Sequence, residues 1–273
     1  MKITASDVNK LRQATGAGMM DCKKALEESG GDFDKAIEVL RKKGQKVAAN
    51  RADRESSEGV VLAKVNSDNT SGIIISLNCE TDFVAKNQDY IDLANELADH
   101  ALNHKELESF LESNFNNMKV SEKLLEQTGI IGEKIELGAF KYLSAAFVGS
   151  YIHAGNKIAS LTGLSENFDK ATEVSKNVSM QIAAMNPIAL NEDGVSKEVI
   201  EKEIEIAKDQ LRQEGKPEEM LENIAKGKMK KFFKENTLIN QQYIKDSKQT
   251  VTDYINSEHQ GLDITDFARV SLG

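Results

Sequence analysis

Residues 59–87 read GVVLAKVNSDNTSGIIISLNCETDFVAKN, and how they are read decides the fold. Residues 59–65 and 72–78 are short runs rich in Val and Ile, and the polar NSDNTS between them has the composition of a turn, so the pattern predicts a β-hairpin. Thr81 and Asp82 then supply helix-starting residues. Phe83, Tyr90, Leu93, Ala94, Leu97 and Ala101 follow at spacings that predict one helix with all six on its apolar side.

A comparable unit recurs downstream. FVGSYIHA (147–154) and KIASLTGL (157–164) flank a short turn, and a helix is expected from about 168 to 185, before Asn186-Pro187. The chain thus reads as two similar hairpin-plus-helix layers, a pattern that suggests duplication. Between them KELESFLESN and SEKLLEQTG read as helices and IGEKIELGAFKYL as one further strand. Ahead of the first hairpin, residues 1–45 read as three short helices. Thr4 with Asp7 resembles a capping box, a break falls at Gly16, Asp32 caps the third helix, and Gly44 is expected to stop it. Residues 45–59 read as a helix tail and linker. Residues 196–235 carry Val199, Ile200, Ile204, Ala207 and Leu211, then Met220, Leu221, Ile224 and Phe232, around an EGKP turn. That is a helical hairpin with a narrow apolar seam, buried against itself or another molecule. A short helix (TVTDYI) and a last strand close the chain. The fold class is α+β.

Composition narrows the function. In 273 residues, 35 Lys plus Arg face 44 Asp plus Glu, and a net charge of -9 would repel a phosphate backbone, so no direct nucleic-acid contact is expected. No secretion-like or membrane-spanning apolar run is present, which predicts a cytoplasmic protein that does not engage membranes. Cys22 and Cys79 are far apart and in no metal-binding spacing. GxxxxGK[ST], GxGxxG and GxSxG are all absent, and TGAG at 15–18 lacks the residues of a phosphate loop. His100 and His104 share a helical face, but Ala101, Leu102 and Asn103 between them offer no third ligand, so two solvated histidines at a helix end are expected. No cofactor, metal site or catalytic residue is expected. His153 reads equally as a structural or a contact residue. The residues by themselves point to a protein-binding role.

LRQATGAGMMDCKKAL (11–26) resembles the N-terminal domain of the bacterial translation elongation factor Ts family, the nucleotide-exchange factors of elongation factor Tu. NCETDFVAKN, GSYIHAGNKIASL and GKMKKFF (227–233) are similar to further family signatures and occur in the family's order. The resemblance implies a UBA-like head (1–45), a linker (46–58), two core subdomains (59–143, and 144–192 with 237–273) and an inserted dimerisation-type helical hairpin (193–236). It implies that the chain binds the GDP-bound and nucleotide-free forms of elongation factor Tu and promotes GDP release by disturbing the partner's Mg2+ and phosphate site. A homodimer through the hairpin is also implied.

Thr81, Asp82, Phe83 and Val84 match the segment that enters the partner's G domain near Mg2+. Arg12, Met19 and Met20 match head contacts; Ile131 and Gly132 match a stretch near the same interface; His153 matches a position in the second core subdomain near the partner. Many family members continue into a C-terminal helical module, whereas this sequence ends at RVSLG, so that contact is expected to be missing. Read locally, Phe83 is more simply a staple between helix and hairpin than a contact residue, and Met19 and Met20 are candidates for the head's core, with one expected to be buried and one presented. Two other functions compete: a UBA-like adaptor without exchange activity, and a metalloenzyme built on His100 and His104.

Overall fold

In the computed structural model, which describes residues 3–272, the chain begins with helices α1 (Ala5–Thr15), α2 (Met19–Glu28) and α3 (Phe33–Asn50). The expected outer limits at residues 1 and 273 lie outside the described residues. Thr4 and Asp7 form the full capping box of α1, and Gly16 ends that helix in the left-handed region at φ 71°. Val8, Leu11, Ala17, Cys22, Ala25, Leu26 and Ala36 form a small core of their own.

Gly44 does not stop the third helix. It lies buried inside α3, where a side chain would press on the Leu125 carbonyl at 3.2 Å. There α3 crosses α7 (Val120–Ile131), and a Cβ at Gly129 would fall onto the Gly44 Cα. The glycine that reads as a terminator is a contact point between two helix backbones. Ile130 of α7 completes the core of the three-helix unit.

Strands β1 (Glu58–Val65) and β2 (Ser71–Cys79) form the hairpin, with Val61 opposite Ser76 and Ala63 opposite Ile74. The short α4 (Asp82–Ala85) and α5 (Gln88–Ala101) follow, then α6 (Leu107–Glu112), a ribbon of β3 (Asn114–Phe115) with β4 (Met118–Lys119), α7, and β5 (Glu136–Ser144). The first sheet has the antiparallel order β1-β2-β5. Strands β6 (Phe147–Ile152) and β7 (Ile158–Leu164) precede α8 (Ala171–Met185). Phe168, expected within that helix, stays in its approach with the ring stacked on His259 at 4.6 Å.

Helices α9 (Lys197–Gln213) and α10 (Glu218–Asn236) make the hairpin, followed by β8 (Gln242–Tyr243), β9 (Asp246–Thr250), α11 (Val251–Glu258) and β10 (Ile264–Ser271). The second sheet runs β10-β7-β6, also antiparallel.

The two sheets pack face to face. Val60, Leu62, Ile73, Ile75 and Leu77 point to α5, while Val61, Ala63 and Ile74 point to Val148, Leu161 and Val270 of the second sheet. Strands buried on both faces carry no polar alternation, which is why β1 and β2 read as continuous apolar runs. On the far side of the second sheet, α8 and α11 cover Phe147 and Leu164. The helical hairpin closes on itself. Ala207, Leu211, Leu221 and Ala225 fill its seam, and Arg212 with Glu218 bridges its turn at 2.8 Å.

Candidate functional site

Near the end of β2, the central strand of the first sheet, Tyr90 Oη donates to the Leu77 carbonyl at 2.7 Å. Thr81 is extended (φ -127°, ψ 152°), the geometry of an N-cap, and its Oγ1 accepts from the Val84 N–H at 3.4 Å. The helix it starts has four residues. At about 100° per residue, positions 83 and 85 of such a helix face opposite ways. Ala85 is buried in the core and Val84 packs against it, whereas Phe83 is 83% exposed.

The chain then restarts rather than continues. Asn87 caps α5, its Oδ1 accepting from the Asp89 N–H at 2.9 Å. Contrary to the periodicity, Phe83 does not share the apolar stripe of Tyr90 and Leu93, because the break at 86–87 resets the helical phase. Nor is it a staple, since its ring does not lie in its own hairpin.

Around the exposed ring the groups are charged. Lys86 Nζ donates to Asp82 Oδ2 at 2.6 Å; this bond and its charge hold the Asp82 carboxyl below the usual carboxylate range and raise the Lys86 ammonium. Lys157, paired with Glu58, adds to the field at Asp82. Lys157 belongs to the turn between β6 and β7, which is bound to the first sheet where Val61 N–H donates to the Asn156 carbonyl at 2.6 Å. His153 is exposed on that same turn, its Nδ1 3.0 Å from Tyr151 Oη. The second hairpin's tip thus lies beside the segment that carries Phe83.

The short helix rests on two carboxylates that sequence reading missed. Glu133 accepts from the Glu80 N–H (3.1 Å), the Thr81 N–H (3.0 Å) and Thr81 Oγ1 (2.7 Å). Glu80 accepts from Arg51 Nη1 at 2.7 and 2.8 Å and from the Lys134 N–H at 2.7 Å. Partial burial would raise the Glu80 carboxyl, but these donors outweigh it and hold it below its ordinary value. No periodicity or spacing could have found this set, because its members come from three separate segments.

In the three-helix unit Met19 and Met20 are both presented, 54% and 63% exposed, so the expectation that one would be buried is corrected. Leu26, Cys22 and Leu11 occupy the core instead. The two methionines line a shallow hollow of about 320 Å³ with Ile3, Ala5 and Val8. Arg12 is exposed on α1.

A cleft of about 450 Å³ separates this unit from the core and is lined by Gly16, Val84, Tyr90, Leu93, Ile130 and Ile131 among others. It brings Val84 and Ile131 together. Gly132, next to Ile131, caps α7 at φ 81°. Met19, Met20, Arg12 and His153 lie outside this cleft.

The histidines differ from expectation. His100 is partly buried, its ring 5.5 Å from Phe115 and 5.9 Å from Phe110, and its Nε2 lies 2.8 Å from Ser113 Oγ. Burial, reinforced by His104, lowers its basicity. Among the described residues no group of three His, Cys, Asp or Glu is placed to hold a metal ion, and no helix is long and apolar enough to cross a membrane. Cys22 and Cys79 are buried free thiols, and burial pushes both up, away from thiolate chemistry.

Comparison with known proteins agrees with the resemblance. A family model described as Elongation factor TS matches residues 80–273. The chain is 66% identical to the Elongation factor Ts of Christiangramia forsetii over 272 residues, covering 100% of this chain and 99% of the relative. It is 63% identical to that of Flavobacterium psychrophilum, with 99% of each covered, and 42% identical to that of Porphyromonas gingivalis ATCC 33277, with 100% and 99% covered.

Proposed function

The chain belongs to the elongation factor Ts family, the guanine-nucleotide exchange factors of elongation factor Tu, and from that premise we propose that it drives GDP release by pressing Phe83 toward the partner's Mg2+ and phosphate site. The carrying observation is an aromatic ring 83% exposed on a helix whose backbone is fixed at both ends. A P-loop GTPase holds its nucleotide through backbone donors, a lysine and a Mg2+ that demands near-ideal octahedral oxygen geometry. Small displacements of the elements that carry the metal's ligands weaken that site, and no reactive group from the exchange factor is needed.

Linkage sets the requirement. The factor must bind the nucleotide-free partner more tightly than the GDP form, and GDP then binds the complex more weakly by the same ratio. Thr81, Asp82 and Val84 frame the wedge on this reading. Arg12, Met19 and Met20 supply docking from a UBA-like head (1–45), Ile131 and Gly132 border the same approach, and His153 meets the partner from the second core subdomain. The linker (46–58), the two subdomains (59–143, and 144–192 with 237–273) and the hairpin (193–236) complete this division. The hairpin's exposed Val199, Ile206 and Met220 favour a self-association role for it, and the setting is the cytoplasm, where translation takes place.

Stopped-flow release of fluorescent GDP from elongation factor Tu, with and without the protein, tests the activity. Acceleration that saturates with protein concentration is expected; binding without acceleration would leave only an adaptor.

A further inference from the structure

We propose that Glu133 is the positioning residue of the exchange reaction: with Glu80 and Arg51 it locks the Phe83 helix to the core and ties it to the helix that descends from the head. The inference rests on the wedge reading of Phe83. Two loops are fastened reciprocally. The Glu133 carboxylate takes the backbone N–H groups of Glu80 and Thr81 together with the Thr81 hydroxyl, while the Glu80 carboxylate takes the backbone N–H of Lys134. Each loop thus donates its amides to the other's carboxylate. Every one of these bonds is charge-assisted and therefore stronger than a neutral counterpart.

Arg51 makes the arrangement more than local. It is the C-cap residue of α3, and its guanidinium Nη1 lies within hydrogen-bond distance of both Glu80 oxygens. Helix α3 starts in the three-helix unit that presents Met19 and Met20, so a load on those methionines can reach Thr81 through Arg51 and Glu80. Glu133 has no exposed catalytic task; what it governs is where Thr81 stands and, through the cap, where Phe83 points. A wedge of this kind works only if its backbone does not yield when it meets the partner. Loss of the lock leaves docking by the head intact and removes the thrust.

Four proteins test this: Phe83→Ala, Glu133→Ala, Glu133→Gln and the Phe83→Ala/Glu133→Ala double variant, each assayed for GDP release from elongation factor Tu over a range of concentrations. Glu133→Ala is expected to lower the maximal release rate about tenfold, leaving the half-saturating concentration within about twofold. Glu133→Gln, which keeps an acceptor oxygen but not the charge, should recover part of that loss.

In the Phe83→Ala background the Glu133→Ala change should cost little more, because it acts through the ring already removed. Losses that multiply in the double variant, or a Glu133→Ala protein as fast as wild type while Phe83→Ala is slow, overturn the proposal. A Phe83→Ala protein with full activity overturns instead the wedge reading beneath it. If Glu133→Ala does not fold, the same cycle is run with Glu133→Gln, and multiplicative losses there count against the lock in the same way.

Discussion

Replacing Phe83 with Ala tests the proposed wedge while leaving the fold nearly untouched. With 83% of the residue already in water, the free fold loses almost nothing when the ring goes, and the change should stay within the roughly ±0.5 kcal/mol typical of surface sites. On the proposed docking the situation reverses. Fully burying a Phe side chain is worth about 1.5 to 3 kcal/mol, and the exposed fraction leaves roughly 1.2 to 2.5 kcal/mol still to be gained against the partner. If that energy is realised only when GDP is leaving, at about 1.4 kcal/mol per factor of ten it corresponds to a release rate about 7- to 60-fold slower in the variant. The assay is stopped-flow release of fluorescent GDP at saturating exchange factor, read beside the thermal melt of the isolated protein. A slowing of less than about twofold with an unchanged melt refutes the wedge, because no ring that contributes its burial energy to the displaced state could be so cheaply removed.

Three further outcomes follow from the same structure. Met19→Ala/Met20→Ala should raise the half-saturating concentration severalfold while the maximal release rate holds, since both side chains are exposed on the three-helix unit rather than on the Phe83 helix; a loss confined to the maximal rate would contradict the proposed docking role. Gly129→Ala forces a methyl group onto the Gly44 backbone and should destabilise the fold by about 1 to 3 kcal/mol, seen as a lower urea midpoint at unchanged slope. His100, partly buried among Phe110, Phe115 and His104, has its pKa lowered below the ordinary 6.5. Below that value the unfolded chain takes up a proton that the folded ring resists, so this group's contribution is present at higher pH and is lost as pH falls through the lowered value. The melting temperature should therefore drop more between about pH 7.5 and 5.5 in the wild type than in His100→Gln, and equal drops would show that the ring is not held neutral.

Sequence reading succeeded where one local pattern dominates and failed where distant segments meet. The capping box at Thr4, the hairpin of β1 and β2, and the Ala207, Leu211 and Leu221 part of the helical seam are legible, because periodicity and turn chemistry act within a few residues, whereas Val199 and Met220, expected in that seam, are exposed. Gly44 departs from its expected role for a physical reason. A glycine after an apolar stripe usually marks a helix end, but here the missing Cβ serves α7, 85 positions away in sequence at Gly129.

Periodicity puts Phe83 on the wrong face because it carries one helix across Asn87, whose side chain starts a new one. That Met19 and Met20 are both exposed was hidden for a related reason: with Cys22, Ala25 and Leu26 filling the small core, no room is left for either. Glu133, Glu80 and Arg51 gave no signal at all, since acidic and basic residues at such spacing are ordinary surface residues until the fold brings them together.

The magnitudes also decide why the ring must stand on a fixed backbone. A four-residue helix is far too short to persist in water by itself, as isolated helices below about 12 to 15 residues are marginal. Ordering a residue costs about 1 to 2 kcal/mol in backbone entropy, so ordering four on docking would cost roughly 4 to 8 kcal/mol, more than the approximately 1.5 to 3 kcal/mol that burial of one Phe returns. A mobile segment carrying the same residues would therefore bind without net gain and move nothing. The free protein meets that cost during folding, when Ala85 is buried, Thr81 caps the helix, Glu133 holds the backbone ahead of it and Asn87 starts the next helix. On the proposed wedge reading, what reaches the partner is a ring whose backbone is already ordered, and nearly all of its burial energy is then available to weaken the grip on GDP.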